Sequence, residues 1–424
     1  MKQSINSISD VVNFQLCVGC GICASIEPSR FEMLDIPTIG LRPQVCENPS
    51  VETGKSLEYC PGIALIHDEK TDDTNIIGEL LPAWGPILEV WEGYASDPDT
   101  RSAGSSGGIA TALATYIIEH MAFSGILHTA AKENSPWLNE TVLSRSVKDL
   151  KKTSGSRYSP ASPCDGLGLL EDEKQYAFIG KPCDIAALRG AMRDDTSLEK
   201  KVNFLIAFFC AGTPSTQGTV DLLTKSGVTQ TDKVKSLRYR GNGWPGNWYV
   251  KYEKSDGRLE ESKTSYEESW GFLQKYRQWR CYICPDHTGE FSDIAVGDPW
   301  YREIEDGELG KSLILVRTEK GRELLYGAVA AGYIHLEKND PAILTASQPN
   351  LLTARGTLWA RLNVLKMLLI PTPHYKGFML FKFWIEELTL KQKVQSIFGT
   401  IKRAHKKKLR FPLNLPHSQD RSEQ

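Results

Sequence analysis

Three cysteines within one short stretch, Cys17-Val-Gly-Cys20-Gly-Ile-Cys23, constrain this chain more than any other feature. Thiolates spaced C-x2-C-x2-C on one tight loop bind three corners of an iron–sulfur cubane, and a distant Cys-Pro supplies the fourth. Cys60-Pro61, followed by Gly62-Ile63, meets that requirement. Zinc also accepts four thiolates, but C-x2-C-x2-C with a remote Cys-Pro is the iron–sulfur pattern. A two-cluster arrangement needs another cysteine four residues after Cys23, where this chain has Glu27-Pro28. Counting back from Cys60 by the same intervals finds Ser56, Thr53 and Ser50, none of them a thiol. The ligands present therefore suffice for one 4Fe–4S cluster, and Cys46 is spare.

The remaining composition fits that chemistry. With 424 residues, 41% hydrophobic and 24% charged, the chain has room for two or three domains. Fifty Lys and Arg against 52 Asp and Glu leave a net charge of −2, and the pI is about 6.5. This excludes a generally basic nucleic-acid binder, so no nucleic-acid partner is expected. A mean hydropathy of −0.32, with no 18-residue apolar run, argues against a transmembrane helix. The opening MKQSINSISDVVNF lacks the apolar core of a secretory signal, so a cytoplasmic location is expected. Ten cysteines are few for a disulfide scaffold of this length, and grouped thiols in such a chain point to metal.

After a linker-like TDDTNIIGELLPAWGP, apolar runs alternate with helical patterns. Strands are expected at Leu88–Tyr94, Gln175–Ile179, Val202–Phe209, Asp293–Val296 and Leu313–Val316. Helices are expected at Ile109–His120, Asp184–Met192, Thr216–Lys225 and Arg322–Ala331. Asn247–Lys254 followed by Asp256-Gly257 reads as a hairpin, so a mixed sheet covered by helices is expected. From Leu358 the pattern changes: Leu358, Leu362, Leu365 and Leu369 share a helical face until Pro371. A second helix over about Phe378–Leu390 precedes Lys391, Lys393, Lys402, Arg403, Lys406, Lys407, Lys408 and Arg410, with no acidic residue from Leu388 to Gln419. A solvated helical extension accounts for this run; a dock for an acidic protein or an anionic membrane surface is the alternative, since Trp359, Phe378, Phe381 and Trp384 accompany the lysines.

Four more cysteines fall at the ends of expected strands: Cys183, Cys210, Cys281 and Cys284. Around them stand Arg101-Ser-Ala-Gly-Ser105-Ser106-Gly107-Gly108, Gly155-Ser156-Arg157-Tyr158, Gly180-Lys181-Pro-Cys183-Asp and Cys281-Tyr-Ile-Cys284-Pro-Asp286-His287-Thr-Gly289, then Gly297-Asp298. This ordered set resembles the coenzyme F420 hydrogenase/dehydrogenase beta-subunit family, which includes 7-hydroxymethyl chlorophyll a reductase, over about Trp84–Arg317. An N-terminal ferredoxin-type module often accompanies that family. The resemblance implies FAD and a second 4Fe–4S cluster held by Cys183, Cys210, Cys281 and Cys284, with Cys164 as the substitute ligand. The fold expected is therefore α+β followed by α/β. A small ferredoxin-like module (1–75) precedes a mixed α/β flavin domain in two parts (84–175 and 176–345) and a helical, basic C-terminal extension (355–424).

For FAD, Ser105, Ser106, Gly107 and Gly108 lead into a helix whose free N–H groups suit a pyrophosphate, although an ordinary N-cap loop looks the same. Arg157 and Tyr158 are candidates to clamp phosphate and stack on a ring; Asp286 and Asp298 are candidates for a ribose hydroxyl or a flavin edge. His287 has the pKa of a proton donor, and Lys181 stands where the family usually carries a small hydroxyl residue, so both are catalytic candidates. In Arg240-Gly-Asn-Gly-Trp244-Pro-Gly-Asn-Trp248 the two tryptophans read as core, with a flat wall for a planar substrate as the alternative. The function expected is an iron–sulfur flavoprotein oxidoreductase that exchanges electrons with ferredoxin or a similar carrier and with an organic two-electron substrate. With its helical extension the chain resembles family members of bacterial surface-polysaccharide loci, a resemblance that implies a sugar-linked redox step. The alternative is a non-catalytic electron-transfer subunit docked on a partner enzyme, with the basic run giving a route to the inner membrane face.

Overall fold

The computed structural model describes residues 4–46, 49–50, 54–67, 75–305, 307–413 and 415. Thr53, the first part of the linker-like stretch and the last residues of the extension lie outside them.

An eight-stranded sheet organises the chain. Its spatial order is Ile334–Lys338, Glu89–Ala95, Ser312–Val316, Ile294–Gly297, Val202–Phe208, Tyr176–Gly180, Gly125–Lys132 and Ser135–Ser144. The three central pairings are parallel and the four outer ones antiparallel. The five expected strands are all present, shifted by a residue or so. Side chains alternate between faces as a strand requires. Phe178, Leu205, Leu313 and Leu315 pack on one side with Ile185 and Leu188 of the helix Pro182–Asp194. Ala177, Ile206, Ile314 and Val316 pack on the other with Leu113, Ile117, Leu324 and Leu325 of the helices Ile109–Glu119 and Glu319–Ala330. The two parts expected at 84–175 and 176–345 share this sheet.

The expected hairpin forms across Asp256-Gly257, but in a separate three-stranded antiparallel sheet of Val234–Arg238, Asn247–Glu253 and Leu259–Ser265. Glycine is required at the turn because Gly257 has φ +82°.

The C-terminal segment is not a free appendage. Leu358, Leu362 and Leu365 of the helix Leu358–Met367 are buried among Ile8, Val11, Leu16, Cys17, Cys23 and Cys60 near the start of the chain. Leu369 leaves that face: it follows the helix end with φ +59° and is exposed. His374–Lys376 then pairs in parallel with Ala64–Ile66. The expected second helix is shorter, Leu380–Glu387, and the basic run forms its own helix, Leu390–Lys406.

Candidate functional site: two cysteine sets and an aromatic cluster

The first set is built by a reversing loop. Gly19 and Gly21 have φ +72° and +89°, and a Cβ on Gly21 would lie 2.7 Å from the Asp165 amide nitrogen. The Gly19 N–H donates to Cys17 Sγ at 3.3 Å. Cys23 lies on the short helix Ile22–Ile26, and Cys60 precedes the Pro61 turn. All four thiols are buried and line one apolar hollow with Ile8, Val11, Ile22 and Met33. Burial pushes the Cys60 thiol up to about 12, and the neighbouring Cys17 adds to the effect. Burial also raises Cys23, again reinforced by Cys17 and Cys60. Thiols gathered in an apolar hollow resist ionisation unless a cationic centre takes their charge, which is the donor chemistry an iron–sulfur cubane uses. At the positions where a second local cluster would need thiolates, the buried Ser56 hydroxyl donates to the Glu27 carboxylate.

Adjacent parallel strands position the second set. Tyr176–Gly180 and Val202–Phe208 end at the same sheet edge, placing Cys183 on the first turn of the following helix and Cys210 in the following loop. The 3-10 turn Trp279–Ile283 brings Cys281 and Cys284 to them. The Thr213 N–H donates to Cys281 Sγ at 3.4 Å, and Cys284 Sγ donates to the Asp286 carbonyl at 3.1 Å. Neighbouring thiols act on one another: Cys210 and Cys284 both oppose ionisation of Cys183, and Cys281 opposes that of Cys210. Burial pushes both Cys210 and Cys284 up to about 12. Among the described residues, no three His, Cys, Asp or Glu side chains are drawn together tightly enough to hold a single metal ion. The sets are gathered, not closed.

Cys164 sits between the sets. Its N–H donates to the Cys20 carbonyl at 3.0 Å, and its thiol to the Asp184 carbonyl, beside Cys183, at 3.4 Å. Ser162 from the same loop donates to the Gly19 carbonyl at 2.8 Å. Cys46 belongs to neither set; its N–H donates to the Arg30 carbonyl.

Lys181 is locked beside the second set. Its Nζ lies 2.7 Å from Asp184 Oδ2 and 3.1 Å from the Ala161 carbonyl. Burial works against its charge, but Asp184, with Cys183 and Cys210 adding, holds its pKa above the usual lysine range. His287 is buried, with Nδ1 2.9 Å from the Cys210 carbonyl, and burial drops its pKa to about 4. It is therefore neutral near pH 7. Together with the Cys210 N–H, which donates to the His287 carbonyl at 2.9 Å, it fixes the Cys210 loop. Asp286 accepts the N–H groups of Thr288, Gly289 and Glu290 at 3.1, 2.7 and 2.9 Å, so it builds the turn that carries Cys284.

The Ser105–Gly108 loop and the Gly155–Tyr158 loop meet, the Ser156 N–H donating to Ser105 Oγ at 2.7 Å. Gly107 N–H donates to Ser312 Oγ at 2.9 Å, and a Cβ there would lie 2.5 Å from the Gly93 carbonyl oxygen, so strand packing already demands this glycine. Ser106 Oγ lies 2.9 Å from Ser312 Oγ, and Gly108, with φ +76°, starts the helix. Arg157 directs its donors to Asn139 and to the carbonyls of Pro136, Leu138 and Leu237. It ties strands together rather than facing a hollow.

Asp298 has a partner that sequence reasoning missed. Buried Arg240 grips it with two hydrogen bonds of 2.8 and 2.9 Å, and Trp244 Nε1 adds a third at 3.0 Å. The Arg240 guanidinium lies over Tyr266 (4.4 Å) and Trp300 (5.3 Å). Trp300 stacks between Trp244 and Tyr266 at 5.6 and 5.7 Å, and Tyr158 packs on Trp270 at 4.6 Å. Two local signals point to this wall: the Trp-rich stretch Arg240–Trp248, with its alternative reading as a flat wall, and Asp298-Pro-Trp300. Phe209, the neighbour of Cys210, donates its N–H to the Val296 carbonyl and packs on Gly297, so the wall adjoins the second cysteine set. Two gathered cysteine sets beside an aromatic cluster at a strand edge are an arrangement suited to redox chemistry in an α/β protein.

Comparison with known proteins places it further. Residues 90–167 match the N-terminal family model for the beta subunit of coenzyme F420 hydrogenase/dehydrogenase, and residues 173–342 match the C-terminal model for that same polypeptide. The chain belongs to this family. It is 25% identical to an uncharacterized protein of Methanocaldococcus jannaschii over 80% of this chain and 94% of that protein. It is 23% identical to the beta subunit of the coenzyme F420 hydrogenase from Methanosarcina barkeri, over 59% of this chain and 82% of the relative. It is 21% identical to one of the subunits of the F(420)H(2) dehydrogenase from Methanosarcina mazei, over 81% and 88%. A chain of the F420-reducing [NiFe] hydrogenase complex from Methanosarcina barkeri shares the fold, with TM-score 0.51 and 20% identity over 67% of this chain and 94% of that one. The two relatives with a named activity are subunits of redox enzymes, a hydrogenase and a dehydrogenase.

Proposed function

We propose that this chain is an iron–sulfur flavoprotein oxidoreductase. In this reading Cys17, Cys20, Cys23 and Cys60 hold one 4Fe–4S cluster, Cys183, Cys210, Cys281 and Cys284 hold a second, and FAD lies against the aromatic cluster. The observation that carries it is the gathering of eight cysteines from distant parts of the sequence into two sets joined through the Cys164 loop. When bound, the clusters supply one-electron steps and the flavin couples them to a two-electron exchange with an organic substrate. The chain's own part is to hold both sets a loop apart, exclude water from the first, and fix the Cys210 loop through a neutral His287. Lys181 keeps a positive charge beside Cys183 and Cys210, which favours electron-rich thiolates there. The wall of Trp300, Tyr266 and Trp244 supports a planar ring, and Asp298, held by Arg240, offers oxygens at its rim. The surface-polysaccharide setting is carried over from the resemblance and supplies a sugar-linked substrate class.

The reading includes an anionic electron carrier such as ferredoxin. A hollow where the N-terminal, central and C-terminal segments meet is lined by Arg42, Lys275, Arg277 and Lys407 and by no carboxylate. The second reading, a subunit that passes electrons to a partner enzyme, is favoured by the relatives named as hydrogenase and dehydrogenase subunits. Anaerobic purification followed by a visible spectrum and iron, sulfide and flavin assays tests both. About eight irons and one FAD per chain are expected. Four irons with FAD refute one set, and colourless protein containing zinc refutes the redox reading. Bound flavin that no added acceptor reoxidises without a partner protein favours the second reading.

A further inference from the structure

The helix Leu390–Lys406 is amphipathic in the opposite sense from a helix packed on a protein core. Its inward residues are small or polar: Ser396, Thr400 and Ala404 are 2%, 0% and 4% exposed. They lie against the helix Leu358–Met367. The two hydroxyls are satisfied within the helix, donating to the Lys393 and Ser396 carbonyls at 2.6 and 2.7 Å. The large apolar residues face outward instead. Leu390, Val394, Phe398 and Ile401 are 78%, 45%, 66% and 41% exposed. At 3.6 residues per turn these four share one stripe, and Lys391, Lys402 and Lys406 follow along one flank of it.

The stripe has company. Phe381 and Ile385 of the preceding helix and Phe411 beyond the following turn are also exposed. Trp359 packs on Phe381 and Trp384, with ring centroids 5.0 and 4.7 Å apart. Glu386 and Glu387 end the preceding helix, and from Leu388 to Gln419 the sequence has no acidic residue. A row of large apolar residues left exposed along one helix face marks an interaction site. A protein partner could cover an apolar stripe, but an apolar stripe with a cationic flank and nearby aromatic residues is the pattern of an interfacial helix, and its charge complements an anionic leaflet.

We infer that Leu390–Lys406 is a monotopic anchor that lies in the surface of an anionic bilayer. Leu390, Val394, Phe398 and Ile401 enter the acyl boundary while the lysines meet the lipid phosphates. The helix lies on the membrane without crossing it: among the described residues no helix is long and apolar enough to span. The anchor sets the two cysteine sets and the aromatic cluster at a membrane surface, so substrates or carriers confined there become accessible. The inference is independent of which cofactors the chain holds.

Flotation of the full chain with lipid vesicles tests it. Vesicles of phosphatidylcholine with about a third phosphatidylglycerol should bind at least about tenfold better than phosphatidylcholine alone, and high salt should reverse most of that gain. The double variant Leu390→Ser/Phe398→Ser should lose binding to both vesicle types. Lys402→Glu/Lys406→Glu should lose the preference for anionic lipid. All four side chains are exposed, so circular dichroism and the unfolding midpoint should match the parent. Absence of flotation on anionic vesicles at low salt overturns the inference, as does binding that neither variant weakens. A dimer by light scattering that Phe398→Ser dissociates, with no flotation, assigns the stripe to a second copy. Salt-sensitive binding to polyglutamate without vesicle binding assigns it to an acidic protein.

Discussion

Glu27 and Ser56 show how much a single pair of residues can say. A second local cluster would need thiolates at both positions, and in their place a buried hydroxyl meets a buried carboxylate. Ser56→Ala removes that donor from Glu27 and should destabilise the folded chain by about 2 kcal/mol, read as a shift in the urea midpoint at constant slope. Glu27→Gln in the same background should recover part of the loss, because an amide costs less to bury than a charge. The cysteines and these substitutions were legible in the sequence because ligand spacing is local. Arg240 was not: its partner Asp298 and one stacking ring, Trp300, lie together in another loop, and the other ring, Tyr266, comes from a third segment. Arg157 was misleading in the other direction, since a motif arginine turned out to hold the carbonyls of Pro136, Leu138 and Leu237.

Elements with apolar runs between turn residues were readable, as Val202–Phe208 and Ser312–Val316 show. The edge hairpin of Gly125–Lys132 and Ser135–Ser144 was not, because polar residues interrupt both strands and the outer one is only partly buried. His128 is one of those interruptions. Its Nε2 lies 2.8 Å from Ser144 Oγ across the hairpin, and burial lowers its pKa to about 4 although the Thr129 carbonyl pulls the other way. An unfolded histidine titrates near 6.5, so on acidification the unfolded chain takes up this proton first. The hairpin's contribution is therefore complete above about pH 6.5 and is lost as pH falls toward about 4, amounting to about 2 kcal/mol at pH 5. Urea midpoints of the parent and of His128→Gln at pH 7 and pH 5 check this. The parent should lose more stability than the variant, and equal losses would refute the assignment.

At the scale of the whole molecule, the chain's two ends make one unit that sequence reading divided into a module and an extension. Periodicity placed Leu358, Leu362 and Leu365 on one helical face, but nothing local told what that face covers. It covers the first cysteine set: Leu365 is fully buried in the same core as Val11, Leu16, Cys17, Cys23 and Cys60. The parallel pairing of His374–Lys376 with Ala64–Ile66 adds a backbone tie. Buried Arg355 adds a polar one, joining the Glu290 carboxylate and the Pro285 and Phe378 carbonyls, while His67 reaches the same Glu290 at 2.9 Å. Leu365→Ala should therefore cost about 2–5 kcal/mol, the range for a leucine emptied from a packed core. The consequence should be local as well as global. If the first set holds a cluster, the variant should lose iron from it before the second set does, so iron should fall toward about half while flavin stays near one per chain. A conservative Leu365→Met should restore most of the iron, since it refills the volume. Equal loss of iron from both sets, or loss of flavin in step with iron, would mean that the helix supports the central sheet rather than the module that carries Cys17.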